Sequence, residues 1–185
     1  MIGLLPVSLE IDGEQYEINT DFRIVLLIFE AYSDKDLTDY EKAAVCLNCL
    51  YKEVPENTDE AMKKAVWFLD GGDVPKPKKA PARIIDWCYD ESIIFPAVNK
   101  VAGFETRSAK YVHWWTFLGY FSEIGEGLYS QVMNIRQKKA KGKKLEKWER
   151  EFYSEHKELV DIKEKLTPEQ QAEFDAEENF INNLV

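Results

Sequence analysis

The sequence predicts a mainly α-helical protein of the α+β class, in which an N-terminal β-hairpin precedes a helical bundle and a C-terminal amphipathic helical extension. Near the N-terminus, apolar and polar residues alternate with the period of a β-strand. Through most of the remaining chain, apolar residues recur at the 3.6-residue spacing of an α-helix. Residues 111–121 add a run in which seven of eleven side chains are aromatic, counting the imidazole, and this run indicates a substantial core.

The hairpin is predicted over residues 7–18. Two alternating segments flank Asp12 and Gly13, a pair that is typical of a tight turn between antiparallel strands. The alternating apolar residues are Val7, Leu9, Ile11, Tyr16 and Ile18.

A first helix is expected directly after the hairpin. Asn19, Thr20 and Asp21 offer side-chain oxygens that can cap a helix N-terminus. Residues 22–32 are so continuously apolar that we expect this helix to be largely buried.

Two further helices carry capping signals at their start. Thr38 with Glu41 forms a capping box, and Asn57 with Glu60 gives a similar signal. Gly71 and its neighbour Gly72 are expected to end the third helix.

Residues 71–82 contain three prolines, two glycines and three lysines, and they predict a loop exposed to water. Apolar residues from 84 to 101 predict the next helix, in which Pro96 forces either a kink or a boundary at Phe95. Gly103 is expected to end it.

The aromatic run is interpreted as the central buried helix, opened by Ser108, because its apolar residues cover every face. His113 within it is interpreted as a core residue satisfied by backbone groups; the alternative is a general base in an aromatic pocket. A short helix follows from Leu128 to Ile135, after Gly125 and Gly127.

Three units follow from this pattern: a hairpin and helical core over residues 1–135, a basic connector over 136–144, and a C-terminal helical extension over 145–185. The connector runs from Arg136 to Lys144 and is interpreted as solvated, with nucleic-acid contact as the alternative. The extension is expected to form one amphipathic helix from about residue 144 to 166 and a last, acidic helix that begins near Thr167.

The apolar face of the amphipathic helix is the candidate partner-binding surface. An apolar stripe on a helix can pack into a groove of another protein or fold back on its own bundle, and both alternatives remain open. The residues chosen for partner binding are Trp148, Phe152, Leu159 and Ile162.

The composition favours protein partners. A net charge of −10 disfavours binding to nucleic acid and to anionic membranes, and no apolar run is long enough to span a bilayer, so we expect a cytoplasmic protein. The three cysteines are expected to be reduced thiols.

No motif predicts catalysis, a cofactor or a metal site, so we expect a non-enzymatic protein. Cys46 and Cys49 have the spacing of half a zinc site or of a redox pair, but they lie in an apolar helical stripe and are interpreted as structural. The glycines near residue 125 lack the rest of a phosphate-binding loop.

Seven short segments carry a resemblance to a known family. The most specific is 111–117 (YVHWWTF), in which two adjacent tryptophans follow a histidine. The others are 19–23 (NTDFR), 65–68 (AVWF), 86–90 (DWCYD), 121–122 (FS), 133–136 (MNIR) and 152–153 (FY). Together they resemble small proteins of siphophages and prophages of Gram-positive bacteria, encoded between the major tail protein and the tape measure protein.

The resemblance implies a tail-assembly chaperone that binds and solubilises the tape measure protein during tail morphogenesis. It also implies a location in the cytoplasm of the infected or lysogenic host, self-association, and a further contact with the major tail protein. Two alternatives remain: a structural component of the mature tail, and a nucleic-acid-binding phage accessory protein that uses the basic run. The resemblance supplies no residue-level binding site.

Overall fold

A computed structural model of the chain describes residues 3–72 and 84–162. Within these ranges the chain forms one two-stranded antiparallel sheet and eight α-helices. The strands are β1 (Ser8–Ile11) and β2 (Glu14–Glu17). The helices are α1 (Phe22–Ser33), α2 (Asp39–Leu50), α3 (Thr58–Leu69), α4 (Glu91–Ala102), α5 (Trp114–Ser122), α6 (Leu128–Ala140), α7 (Lys147–Glu155) and α8 (Lys157–Val160). A 3-10 helix, Thr106–Ser108, lies between α4 and α5. The predicted fold class is therefore confirmed.

The hairpin forms as the sequence predicts. Asp12 and Gly13 both adopt positive φ angles, 52° and 85°, which is the geometry of the two-residue turn that matches strand twist. Leu9 and Ile11 turn inward and are buried, at 4% and 1% exposure. Val7 departs from the predicted alternation, since it precedes β1 and is 61% exposed.

Helix α1 is half buried rather than largely buried. Asp21 caps it by accepting a hydrogen bond from the Arg23 amide, as one of the three predicted caps. Phe22, Val25 and Ile28 face the core, whereas Leu27 is 53% exposed. The apolar run therefore covers more of the helix surface than the neighbouring elements bury.

The caps of α2 and α3 are confirmed. Thr38 and Glu41 form both halves of a capping box, and the Asn57 side chain accepts a hydrogen bond from the Glu60 amide. These signals were predictable because both partners lie within one turn of the chain.

Helix α5 begins at Trp114 and not near Ser108, which was the predicted start. The reason is a backbone pairing across the fold: the Phe22 amide donates to the Val112 carbonyl at 3.0 Å, and the Trp114 amide donates to the Thr20 carbonyl at 2.7 Å. This pairing holds the residues before α5 in an extended conformation. It also places Tyr111 outside the helix, where it is 54% exposed.

The aromatic side chains of α5 form the centre of the core. Phe117 is fully buried and stacks on Phe22 with ring centroids 4.4 Å apart. The indole N–H of buried Trp114 donates to the Leu69 carbonyl at 2.9 Å, so its polar atom is satisfied. Trp115 is half-buried and donates in the same way to the Phe68 carbonyl at 2.9 Å, which ties α5 to the end of α3.

The helix predicted from residue 84 begins only at Glu91. The Asp86 carboxylate accepts hydrogen bonds from the Cys88 and Tyr89 amides, and Asp90 accepts one from the Asp86 amide, so these residues form a turn. Helix α4 then passes through Pro96 without ending at Phe95. Gly103 ends it in the left-handed conformation, as predicted.

The single helix predicted over residues 144–166 is wrong for its described part. Helix α7 ends at Glu155, His156 leaves helical geometry, and α8 adds only four residues. Helix α6 in turn continues beyond the predicted residue 135 as far as Ala140, and Gly142, at φ 63°, follows its C-terminus.

Two predictions fall mainly on residues that the structure does not describe. The acidic helix after Thr167 lies wholly outside the described ranges, and so does most of the loop over 71–82. The first two residues of the loop, Gly71 and Gly72, are described and are half-buried. A Cβ at residue 72 would lie 2.8 Å from the Trp115 ring. None of the helices in residues 3–72 and 84–162 is long and apolar enough to cross a membrane.

We expect Phe117→Ala to lower the free energy of unfolding by about 3–5 kcal/mol, because it removes a fully buried ring from the middle of the core. Urea denaturation followed by circular dichroism measures this. Tyr40→Ala is the matched control, since Tyr40 is 83% exposed and its loss should change stability by less than about 0.5 kcal/mol. Equal stability losses in both variants would contradict the assignment of Phe117 to the core.

Candidate partner-binding surface

The four residues predicted to bind a partner lie on α7, on α8 and just beyond α8. Trp148 on α7 is 47% exposed, whereas Phe152, further along the same helix, is half-buried against the core. Leu159 on α8 is also half-buried against the core, and Ile162 is half-buried. Trp148 therefore presents the largest exposed apolar surface of the four, and Phe152 and Leu159 pack partly within the chain.

A buried ion pair fixes α8 to the helical core. The Arg136 side chain is 5% exposed and the Asp90 side chain is fully buried, and the two form a bidentate pair at 2.6 and 2.7 Å. The remaining guanidinium N–H groups donate to the carbonyls of Ile84, Leu159 and Val160 at 2.9, 2.8 and 2.7 Å. All five donors of Arg136 are thus satisfied, which a buried guanidinium requires.

A second buried carboxylate fixes α7. Glu149 is fully buried and accepts hydrogen bonds from the Asn134 amide group at 3.1 Å and from the Lys138 ammonium. Its other oxygen accepts from the Glu146 amide at 2.8 Å and closes a capping box at the start of α7. The hydrogen bond from Lys138 is the main reason that the pKa of Glu149 is lowered, although desolvation opposes it.

The end of the described chain is held by tyrosines and a lysine. The Tyr153 hydroxyl donates to the Asp161 carboxylate at 2.6 Å, and Lys139 forms an ion pair with the same carboxylate. The Tyr89 hydroxyl donates to the carbonyl of Glu158 and lies 3.0 Å from the carbonyl oxygen of Asp161. These contacts leave Trp148 on an element that is attached at several points.

The basic run from Arg136 to Lys144 is not a solvated connector throughout. Arg136 is buried, and Lys138 and Lys139 are paired with Glu149 and Asp161. Lys141, Lys143 and Lys144 are exposed at the end of α6 and in the loop after it. Sequence reasoning missed the role of Arg136 because its partner lies 46 residues away, and no local signal marks the pair.

His113 lies in the core and is satisfied by backbone groups, as predicted, but it caps α5 and does not lie within the helix. It is 4% exposed, its Nδ1 accepts a hydrogen bond from the Trp115 amide at 3.0 Å, and its Nε2 lies 2.9 Å from the Pro6 carbonyl oxygen. Because Nδ1 accepts, Nε2 must carry the proton and donate to Pro6. Both ring nitrogens are therefore engaged by backbone groups.

The cysteines are free thiols in the described residues, as expected. Cys46 is fully buried, and burial raises the pKa of its thiol, the opposite of what a metal ligand or redox cysteine needs. Cys49 is half-buried. Within residues 3–72 and 84–162, no group of three or more histidine, cysteine or acidic side chains is placed to hold a metal ion.

A groove near the hairpin, with a lining of mixed polarity, was missed by sequence reasoning. It has a volume of about 440 Å³, and its apolar lining comes from Val7, Ile18, Ile24 and Tyr111. Val7 had been assigned to the regular strand alternation and Tyr111 to a buried helix, so the pattern gave no sign that the two lie exposed together.

Comparison with known proteins gives one match. A protein-family model described as "Bacteriophage Gp15 protein" matches residues 1–162. No curated protein and no solved structure matches the chain. All seven segments that carry the family resemblance lie inside the matched range.

Replacing Arg136 should be strongly destabilising, since it leaves Asp90 buried without its counter-charge and three carbonyl groups without a donor. We expect Arg136→Met to lower the free energy of unfolding by about 3–5 kcal/mol. Arg136→Lys should not rescue it, because an ammonium cannot reproduce the planar fork. Lys143→Met, at an exposed position, is the control in the same denaturation experiment. A loss no larger than that of the control would show that the pair does not hold the C-terminal helices.

Glu149 should make stability depend on pH. Its pKa in the folded protein lies below the ordinary glutamate value of 4.5, so its contribution is fully present above that value and is lost as the pH falls through the lowered pKa. We therefore expect the stability difference between the wild type and Glu149→Gln to be largest near neutral pH and to shrink below about pH 4.5. Urea titrations at several pH values measure this difference, and a constant difference would contradict the ion pair with Lys138.

Proposed function

The chain belongs to the Bacteriophage Gp15 protein family, and from this premise we propose that it is a tail-assembly chaperone that acts without catalysis. Its client is the tape measure protein, which it binds and keeps soluble during tail morphogenesis. The proposal includes a gene position between the major tail protein and the tape measure protein of a Gram-positive siphophage or prophage. It also includes the cytoplasm of the infected or lysogenic host as the place of action. The family resemblance of the sequence supports all of these points.

The exposed indole of Trp148 is the observation that carries the client-binding part of the proposal. An exposed tryptophan on a surface helix is a frequent anchor in protein interfaces, because it buries a large apolar area at a small cost in side-chain entropy. Helix α7 is held in place by Glu149 and, through α8, by Arg136, so the indole is presented from a fixed position. A helical client can pack against such a surface.

The charge of the chain supports the same function. A net charge of −10 keeps a complex with an aggregation-prone client in solution through repulsion between complexes. Much of the basic run is already neutralised by Asp90, Glu149 and Asp161, which disfavours the alternative of a nucleic-acid-binding accessory protein.

A structural component of the mature tail is the remaining alternative. Contact with the major tail protein and self-association would then persist in the virion. Mass spectrometry of purified virions distinguishes the two, since abundant peptides of this chain in mature particles would support the structural role and contradict a chaperone that leaves the tail.

We expect Trp148→Glu to weaken binding of the tape measure protein by about 2 kcal/mol, or close to thirtyfold in Kd. The reason is that a tryptophan buried against the client in the complex is replaced by a charge. Co-expression of the two proteins, followed by centrifugation and size-exclusion chromatography, measures the soluble client and its co-elution.

Tyr40→Glu is the matched control, because Tyr40 is 83% exposed and lies on α2. Both variants should unfold at the same urea concentration as the wild type. Full solubilisation of the client by Trp148→Glu would overturn the assignment of α7 as the client-binding helix.

A further inference from the structure

The outer edge of β1 is open. The Ile18 amide donates to the Val7 carbonyl at 3.0 Å, and the register pairs Ser8 with Glu17 and Glu10 with Gln15. Hydrogen-bonded and non-hydrogen-bonded pairs alternate in an antiparallel ladder, so the N–H and C=O groups of Ser8 and Glu10 point away from β2. No described residue pairs with these four groups.

The other edge of the hairpin is paired only at its end, beyond Gln15. The Glu17 carbonyl accepts a hydrogen bond from the Lys52 amide at 3.0 Å, and Ile18 forms a bridge with Tyr51. Within the described residues, the Glu17 carbonyl at the end of β2 therefore has a backbone partner, whereas the outward groups of Ser8 and Glu10 have none. An open edge is a template for one more strand.

A groove of about 660 Å³ runs between the open edge and α3. Its lining on the hairpin side includes Pro6, Ser8 and Glu10 together with Leu9 and Gln15. On the side of α3 it includes Lys63, Lys64 and Trp67. Neither lysine forms an ion pair or hydrogen bond with any residue that the structure describes. Within the described residues, two lysines without a direct ion-pair partner thus lie beside strand groups without a backbone partner, in a chain with a net charge of −10.

We propose that the open edge of β1 is a strand-addition site for an extended segment of a partner protein that carries carboxylates on the face turned towards α3. Its backbone pairs with Ser8 and Glu10, which can form four hydrogen bonds. Its alternate side chains reach α3, where a carboxylate meets Lys63 or Lys64 and an apolar side chain packs on the half-buried Trp67. This site is separate from Trp148 and does not depend on the chaperone function.

The open edge of β1 is short, and its ends limit how many residues of an added strand can pair with it. Pro6 has no N–H group, and its carbonyl is already engaged by His113, while the turn at Asp12 and Gly13 closes the other end. The added segment therefore pairs over only a few residues. Four backbone hydrogen bonds give weak binding by themselves, so the charged contacts with α3 must supply the specificity.

Ser8 allows a sharp test of the backbone contact. Its N–H points outward and takes no part in the hairpin, so Ser8→Pro removes the donor while the β1–β2 hydrogen bonds remain. Ser8→Ala is the matched control, because it also loses the hydroxyl bond to Gln15 but keeps the N–H. Circular dichroism and urea denaturation confirm that both variants fold.

The full chain is used to select binders from a displayed library of random peptides of about ten residues. We expect enrichment of peptides with carboxylates at alternate positions. Their affinity should fall at least about tenfold for Ser8→Pro and for the double variant Lys63→Glu with Lys64→Glu, and it should change less than about twofold for Ser8→Ala.

Amide hydrogen exchange distinguishes strand addition from other binding. On peptide binding, exchange of the Ser8 and Glu10 amides should slow at least about tenfold, whereas the Leu9 amide, which already pairs with Tyr16, should change little.

The proposal is overturned by a library without binders, by binders without carboxylates, or by equal binding to Ser8→Pro. Protection of Ser8 and Glu10 in the free monomer would show that the edge is covered by the chain itself. A dimer that Ser8→Pro dissolves would assign the edge to a second copy of the chain instead.

Discussion

The position of the C-terminal helices depends on the buried pair between Arg136 and Asp90. Two charges without exposure to water are tolerated only when each is matched by an opposite charge and by hydrogen bonds, and all five guanidinium donors meet this condition. Three of these bonds reach carbonyls of Ile84, Leu159 and Val160. One side chain of α6 therefore fixes the turn before α4 and the end of α8 at once, because any displacement of either would leave a buried charge unsatisfied.

The same logic extends to α7 and explains why a basic run lies beside buried carboxylates. Glu149 has no exposure to water and depends on Lys138, just as Asp90 depends on Arg136. Arg136 and Lys138 act as internal counter-charges, whereas Lys139, Lys141, Lys143 and Lys144 of the same run are exposed. The short helices α7 and α8 are thus attached through ion pairs and through the apolar contacts of Phe152, Leu159 and the buried Val160. Such attachment leaves the indole of Trp148 outside the core on a rigid support.

The sequence predicted those elements whose signals are local. The turn at Asp12 and Gly13 and the cap at Thr38 depend on residues within one turn of each other, and both are confirmed. The start of α5 was predicted wrongly because it is set by pairing with residues 20–22, about 90 positions earlier. For the same reason the burial of Arg136 could not be predicted: six basic residues in nine positions look solvated unless the distant Asp90 is known. The candidate surface was predicted as one stripe, but its separation into exposed Trp148 and half-buried Leu159 is decided by packing.

The two surfaces recognise different features of a partner, and this difference follows from what each leaves unsatisfied. On α7 the exposed surface is the apolar indole of Trp148, so a partner is recognised by its side chains. The backbone of that partner can therefore remain helical. At the β1 edge the unsatisfied elements are backbone N–H and C=O groups, which only an extended segment can satisfy in register. A partner that is helical over most of its length is complementary to the first surface and not to the second. The charge of Lys63 and Lys64 then selects among extended segments, because these two lysines attract a carboxylate at the edge where the backbone groups are offered.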